Sequence, residues 1–341
     1  MLSSTESRAE DGVEQRVPLP AAPPGAPGAG TRRHKGRWAR GWLLASAAVL
    51  AALLMYFHSR VPNTPGNLGS LLETFLPWVG VVVPLLAVGA VVRRSATAAV
   101  ALLAPAIVWA ALFGELVLPG KGGGTHNLRV LTHNVDAANT DYAGTAREVL
   151  AAGADVVALE EMTSTALKSY EKAFAGRYPY HVKRSTVGLW SRYPIAASGS
   201  VDIGLSWTRA LRAQVSTPDG DVAFYVVHLA SVRVGSSGFT SNQRNQTIEL
   251  LGRRIAEERL DRVVLMGDLN GTANDRSLAP VTAGLRSAQG AAGNGFGFTW
   301  PAAFPMARID HVLVRGIQPA KAWVLPRSGS DHRPVVADLR V

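Results

Sequence analysis

The chain ends on "GSDHRPVVADLRV", residues 329–341, where Asp331 and His332 stand just before an alternating apolar run that reads as a final half-buried strand. A loop entering a strand at the end of a sheet is a common address for chemistry. Other polar residues recur at strand ends. Asn134 lies in "LRVLTHNV", Glu160 and Glu161 in "DVVALEEM", His228 after "FYVV", Asp268 and Asn270 in "DRVVLMGDLN", and Asp310 in "RIDHVLV". Strands packed side by side can bring such ends together.

The residue types limit the chemistry. His332 can be oriented as a general base if Asp310, on another strand, takes its second ring nitrogen. Adjacent strand residues point to opposite faces, so Glu160 and Glu161 must diverge, one being expected as a solvated rim charge. By the same rule His311 points away from Asp310 and is read as structural. Asp268 and Asn270 can aim at one side, although such residues also cap loops through their own backbone. There is no Cys, and the histidines are not paired at zinc-ligand spacing. A cluster of carboxylate and amide oxygens suits a hard cation such as Mg²⁺. Neither a Walker loop nor a G-x-S-x-G nucleophile elbow occurs.

The elements that must position these residues follow a Gly-rich linker at 119–127. Helical runs fall around 143–152, 163–174 and 241–259, among short strands at 181–185, 187–191, 209–217 and 222–230 and those ending at the polar residues above. That order predicts two packed sheets with helices outside.

Ahead of this domain the composition changes. The 341 residues are 47% apolar and 18% charged, which excludes a disordered chain, yet residues 1–40 are Pro/Gly-rich and then basic. They are expected to be a disordered cytoplasmic tail. Three apolar segments, about 42–57, 71–92 and 96–118, each approach the ~20 residues that cross ~30 Å of hydrocarbon, and predict three transmembrane helices. Arg32, Arg33, Lys35, Arg37 and Arg40 precede the first, Arg93 and Arg94 separate the last two, and only Arg60 lies in the first loop. This places the tail inside and residues 128–341 outside, in a multi-pass protein of the cytoplasmic membrane. Glu73 and Glu115 are expected at the membrane interface. From Lys121 onward 25 Lys and Arg face 19 Asp and Glu, a net +6 that suits an anionic ligand or membrane surface.

Taken in order, "HNV", "ALEEM", "GLWSRYPI", "VVHL", "GDLN", "FTWP", "RIDHVLV" and "SDHRPV" resemble the endonuclease/exonuclease/phosphatase superfamily over about 128–341. The resemblance implies a four-layer α/β sandwich that hydrolyses phosphoric esters with Mg²⁺ or Mn²⁺. It makes Glu161 the main metal ligand, with Asn134 and Asp331 close to the ion, and has Asp268 and Asn270 position the attacking water and the phosphoryl group. His332 becomes the acid/base held by Asp310, and His228 binds phosphate or protonates a leaving oxygen. Arg209 looks like the family's strand arginine, able to touch a phosphate. Which of Asp268 and His332 is the primary base stays open. Glu160 stands where the family often has Gln.

Three spans before such a domain resemble a narrower group, the actinobacterial membrane proteins associated with teicoplanin resistance. That implies a lipid phosphate substrate such as undecaprenyl pyrophosphate at the outer leaflet. The alternatives are a membrane-tethered nuclease or phospholipase C-like phosphodiesterase, and a non-catalytic module that binds lipid or glycopeptide. Short loops such as "ASVRVGSSGFTSNQ", with Phe239 as their one aromatic, argue against nucleic acid as the partner.

Overall fold

The computed structural model describes residues 36, 38, 40–64, 66–118, 121–236 and 238–341. The expected tail at 1–40 falls almost wholly outside them.

Period-two alternation builds two six-stranded sheets. In chain order the strands are β1 (Leu128–Asn134), β2 (Val156–Glu160), β3 (Tyr180–Arg184), β4 (Val187–Ser191), β5 (Ile195–Ser200), β6 (Ala210–Thr217), β7 (Gly220–His228), β8 (Val263–Asp268), β9 (Arg286–Ser287), β10 (Asp310–Arg315), β11 (Gln318–Val324) and β12 (Val335–Arg340). The first sheet runs β11-β12-β1-β2-β4-β3 and the second β9-β10-β8-β7-β6-β5. Both are mixed, with β1 parallel to β2 and β7 parallel to β8 at their centres. The longer helices are α1 (Trp42–Tyr56), α2 (Leu68–Thr74), α3 (Leu76–Val92), α4 (Ala96–Val117), α5 (Tyr142–Ala151), α6 (Ser164–Phe174) and α7 (Asn242–Ala256).

Residues of one parity meet between the sheets: Val130, Val156 and Ala158 on one side, Phe224, Val264 and Met266 on the other. Residues of the opposite parity pack outward under helices. Leu131, Val157 and Leu159 meet Val149 of α5 and Tyr170 and Phe174 of α6, while Tyr225 and Leu265 meet Ile248, Leu251 and Ile255 of α7. The result is the expected α/β sandwich of four layers. Asp141 and Thr163 cap α5 and α6, accepting from Gly144 N at 2.8 Å and Ala166 N at 3.1 Å.

The apolar region departs from the expectation of three transmembrane helices. Among the described residues only α4, of 22 residues, is by itself long and apolar enough to cross a membrane. α1 has 15 residues, about 22 Å at ~1.5 Å per residue. The middle segment breaks at Phe75, where α2 and α3 meet at 74°. Two causes are visible. Pro77, without an N–H to donate, suits the first turn of a new helix. The polar residues of α2, moreover, find partners across the chain. Glu73 is fully buried, its carboxylate accepting from Arg276 N at 3.1 Å and lying 3.2 Å from His58 Nδ1, while its carbonyl accepts from Thr272 Oγ1 at 3.2 Å. Asn67 donates to Phe239 O at 2.7 Å, and Phe239 N to Gly66 O at 2.8 Å. α2 is thus docked on the sandwich, and Glu73 is a buried bracket, not an interfacial charge. Glu115 is exposed near the end of α4.

Candidate active site

Register assembles the site. In the second sheet Asp268, ending β8, lies opposite His228, ending β7, and opposite Asp310, opening β10. All three share the parity of Val226, Met266 and Val312, so they face the space between the sheets. In the first sheet Asn134 lies opposite Glu160 and faces the same space. The loop into β12 adds Asp331 and His332.

His332 Nδ1 is 2.9 Å from Asp310 Oδ2 and 3.1 Å from Oδ1. Its other nitrogen, Nε2, lies 3.9 Å from Asp268 Oδ2 and 3.8 Å from Asp331 Oδ1. Burial alone would lower the His332 pKa, but Asp310 and Asp268 raise it to about 10. The ring is then an imidazolium that donates from both nitrogens. Asp310 is held below its usual range against the effect of burial, by the His332 charge and by hydrogen bonds from His332 and Thr299. Burial pushes Asp268 up to about 7, opposed by His332 and by donors from Asn270 and Asn134. Those donors are Asn270 N to Oδ1 at 2.8 Å, Asn270 Nδ2 to Oδ2 at 3.0 Å and Asn134 Nδ2 to Oδ2 at 3.2 Å.

Glu161 follows β2 in a left-handed conformation, φ 58°, and so do Asp136 at 59° and Asn270 at 47°. Non-Gly residues in this region are uncommon and cluster at functional sites. Glu161 Oε1 lies 3.2 Å from His228 Nε2. The Arg209 guanidinium rests against the same ring, with Nη2 2.6 Å from Nδ1. Burial, then Arg209, drives the His228 pKa well down, leaving a neutral ring. A cavity of about 640 Å³ opens over these groups, lined among others by Asp136, Glu161, Asp268, Asn270, Asp331 and His332.

Residues 124–332 match the family model described as Endonuclease/Exonuclease/phosphatase family. The chain belongs to this family. No curated protein matches it significantly. Solved structures that share the fold include a D. rerio TDP2 humanized by 14 mutations, at 21% identity and TM-score 0.54, covering 63% of this chain and 99% of that one. The mannosyl-6-phosphatase of Bacteroides thetaiotaomicron follows at 18% identity and TM-score 0.53, covering 63% and 100%. Beta toxin from Staphylococcus aureus is similar at 14% identity and TM-score 0.50, covering 62% and 99%. At these identities the likeness is one of fold.

Against this endonuclease/exonuclease/phosphatase frame, the structure gathers Asn134, Glu161, His228, Asp268, Asn270, Asp310, Asp331 and His332 at one end of the sandwich. Asn134 lies fully buried behind the cavity wall, its Oδ1 accepting from Asp136 N at 3.0 Å. Arg209 is turned to His228 and does not line the cavity. Glu160 corrects an expectation. It is no rim charge: its parity is that of Val156 and Ala158, so it lies fully buried between the sheets, accepting from Thr132 Oγ1 at 2.8 Å. Burial drives its pKa well up, which keeps the carboxyl neutral. A neutral acid at this position presents the same kind of donor and acceptor as the Gln often found in the family. His311 points outward as expected, its Nε2 2.8 Å from Gly271 O.

Sequence reasoning missed the residues that brace the site. Asp136, two places after Asn134 in "HNVD", lines the cavity. Trp300, in "FTWP", donates to Asp331 Oδ2 at 3.3 Å. Ser330 Oγ donates to Asn134 O at 2.7 Å and accepts from His332 N at 3.0 Å, joining the two loops. Arg244 of α7, fully buried, donates to Asn270 O at 2.9 Å and pairs with Asp275 at 2.6 Å. Its only signal in sequence was a charge on an otherwise amphipathic helix.

Among the described residues, Asp268, Asp310 and His332 form one group at metal-ligand spacing, with ligand atoms within 4.8 Å of one another. Asp310 and His332 Nδ1 are engaged with each other, so this triple reads as an acid/base unit. The other carboxylates that line the cavity are Glu161, Asp136 and Asp331.

Proposed function

We propose that the protein is a divalent-metal-dependent phosphohydrolase anchored in the cytoplasmic membrane, acting from its outer face on a lipid phosphate of the polyprenyl pyrophosphate type. Undecaprenyl pyrophosphate is the leading case, and altered sensitivity to glycopeptides such as teicoplanin is the expected consequence. One observation carries this reading: Thr74 and Phe75, the end of α2 and the hinge into apolar α3, form part of the catalytic cavity wall. A phosphate at His332 shares its cavity with the start of an apolar helix. Among the described residues, moreover, all large apolar side chains left exposed lie between 38 and 118, except Tyr180, Trp207, Val234 and Phe304. Such a surface is stable in hydrocarbon and costly in water.

The donor set fits Mg²⁺ or Mn²⁺. Glu161, Asp331 and Asp136 offer carboxylate oxygens only, the preference of a hard ion, and would hold it with Asn134 close behind. Bound there, the ion supplies charge neutralisation and polarisation of the phosphoryl group. The remaining roles belong to side chains. His332 donates its Nε2 proton toward a phosphoryl oxygen, held in orientation by Asp310 at Nδ1. Asp268, whose Oδ2 lies 3.9 Å from His332 Nε2, takes the proton of the attacking water. Asn270 orients Asp268. Neutral His228 holds its Nε2 beside Glu161, and the Arg209 guanidinium rests against both ring nitrogens. Arg233, exposed at the cavity rim, meets the incoming anion.

The test is phosphate release from undecaprenyl pyrophosphate by the purified protein in detergent with Mg²⁺. Release that is lost in Glu161→Gln supports the reading, and no release with either Mg²⁺ or Mn²⁺ defeats it.

A further inference from the structure

A second cavity, of about 470 Å³, lies beside the catalytic one and is wholly different in character. Trp78, Val81 and Pro84 of α3, Trp109 of α4, and Phe296 and Phe298 of the loop before β10 line it, with no charged side chain. Both indole N–H groups are occupied elsewhere: Trp78 Nε1 donates to Met306 O at 2.8 Å and Trp109 Nε1 to Pro77 O at 2.9 Å. The rings therefore show carbon to the space. Trp78 stacks on Phe298 at 5.8 Å between centroids, and Phe298 on Phe296 at 5.0 Å.

Two chain segments lead from this cavity into the catalytic one. Along the first, Phe75 lines the catalytic cavity and Pro77 and Trp78 line the apolar one. Along the second, Phe298 lines the apolar cavity and Trp300 the catalytic one, where it holds Asp331. Carboxylates and imidazole in one cavity, carbon alone in the next, and walls two residues apart make a site shaped for an amphiphile. At the far side Val81, Leu85 and Val88 are exposed and carry apolar surface out along α3. Ligand sites run from roughly 300 to 1,000 Å³, so the cavity is of binding size.

We propose that this cavity holds the hydrocarbon chain of the phosphate substrate, with chain beyond its capacity running out along α3. The inference rests on the phosphohydrolase reading and adds a site that selects for chain length. Chain burial contributes to binding in proportion to apolar area, so filling the cavity penalises long chains only.

The test compares geranylgeranyl pyrophosphate with isopentenyl pyrophosphate, which share a head group and differ in chain. Val81→Trp and Ala106→Phe place bulk at the cavity lining. Both should lower kcat/KM for the long chain about tenfold or more while leaving the short chain within about twofold, which also reports correct folding. Equal effects on the two substrates, or none on either, overturn the proposal, as does an altered oligomeric state with unchanged chain preference. A second measurement does not need turnover. A long-chain alkyl phosphate with a diazirine at the chain end should label residues 76–84 and 103–113 in the wild type. That labelling should be competed by unlabelled lipid and lost in Val81→Trp, while background labelling of α1 persists. Should the wild type hydrolyse neither pyrophosphate, the phosphohydrolase reading falls and the labelling pattern alone decides the chain site: competed labelling supports it, and labelling indifferent to competitor and variant overturns it.

Discussion

His332 and Asp310 act as a unit because one imidazole nitrogen is taken by the carboxylate and the other faces the cavity. His332→Ala should lower kcat about 10²-fold or more, with Asp310→Ala close behind, since an unoriented imidazole loses most of its acid/base contribution. The double variant should be scarcely worse than His332→Ala; independent, multiplicative losses in kcat would show that Asp310 does not orient the ring. The paired glutamates give a second contrast. Glu160 is neutral and bonded to Thr132 inside the sandwich, so Glu160→Gln should fold normally and keep near-normal turnover. Glu161→Gln removes a negative oxygen from the open cavity, and isothermal titration should find Mg²⁺ affinity reduced at least about tenfold. Stronger damage from Glu160→Gln would mean that the buried carboxyl, not Glu161, serves the metal.

Loops at the sandwich end are held by partners remote in sequence. The segment from Asp268 to Arg276 is fixed from one side by the fully buried Arg244–Asp275 pair, at 2.6 Å, and from the other by Glu73. Breaking a buried pair from one side costs about 3–5 kcal/mol. Arg244→Ala should lose stability of that order in urea unfolding and lose turnover with it, because Asn270 O forfeits its donor. A loss below about 1 kcal/mol would make the pair incidental. A third ion pair gives a pH signature. Arg212 grips Glu258 at 2.6 and 3.0 Å and holds its carboxylate down to about 2. The folded pKa lies below the unfolded value of about 4.3, so the stabilisation is complete above about pH 5 and is lost as pH falls toward 2. Glu258→Gln should therefore show a shallower fall in melting temperature between those pH values than the wild type. Strand-end residues were legible in the sequence because period-two alternation is local. Alternation separated Glu160 from Glu161 but carried no label for which face was the inner one. Arg244 was not legible as a site residue because its partners Asn270 and Asp275 come from another segment, and Asp136 because its own bonds are those of an ordinary loop turn.

At the scale of the whole molecule, apolar length suggested three membrane helices, and among the described residues there is one unbroken helix of spanning length with a bent partner. Hydropathy counts apolar residues and cannot see that Ser70, Glu73 and Thr74 are buried against the sandwich, with Glu73 held by a loop about 200 residues later. The docking of α2 brings the hinge into apolar α3 to the wall of the cavity, and the proposed orientation puts that cavity outside. Protease added to intact spheroplasts should remove residues after 118, and full protection would contradict the outer-face proposal. We propose that this site hydrolyses a lipid-borne phosphate with a divalent ion. The most direct test is the full-length protein in lipid nanodiscs, given undecaprenyl pyrophosphate and supercoiled plasmid DNA together, with Mg²⁺ or with EDTA. Phosphate release that requires Mg²⁺ is expected while the plasmid stays supercoiled; plasmid nicking without phosphate release, or release undiminished by EDTA, would overturn the proposal.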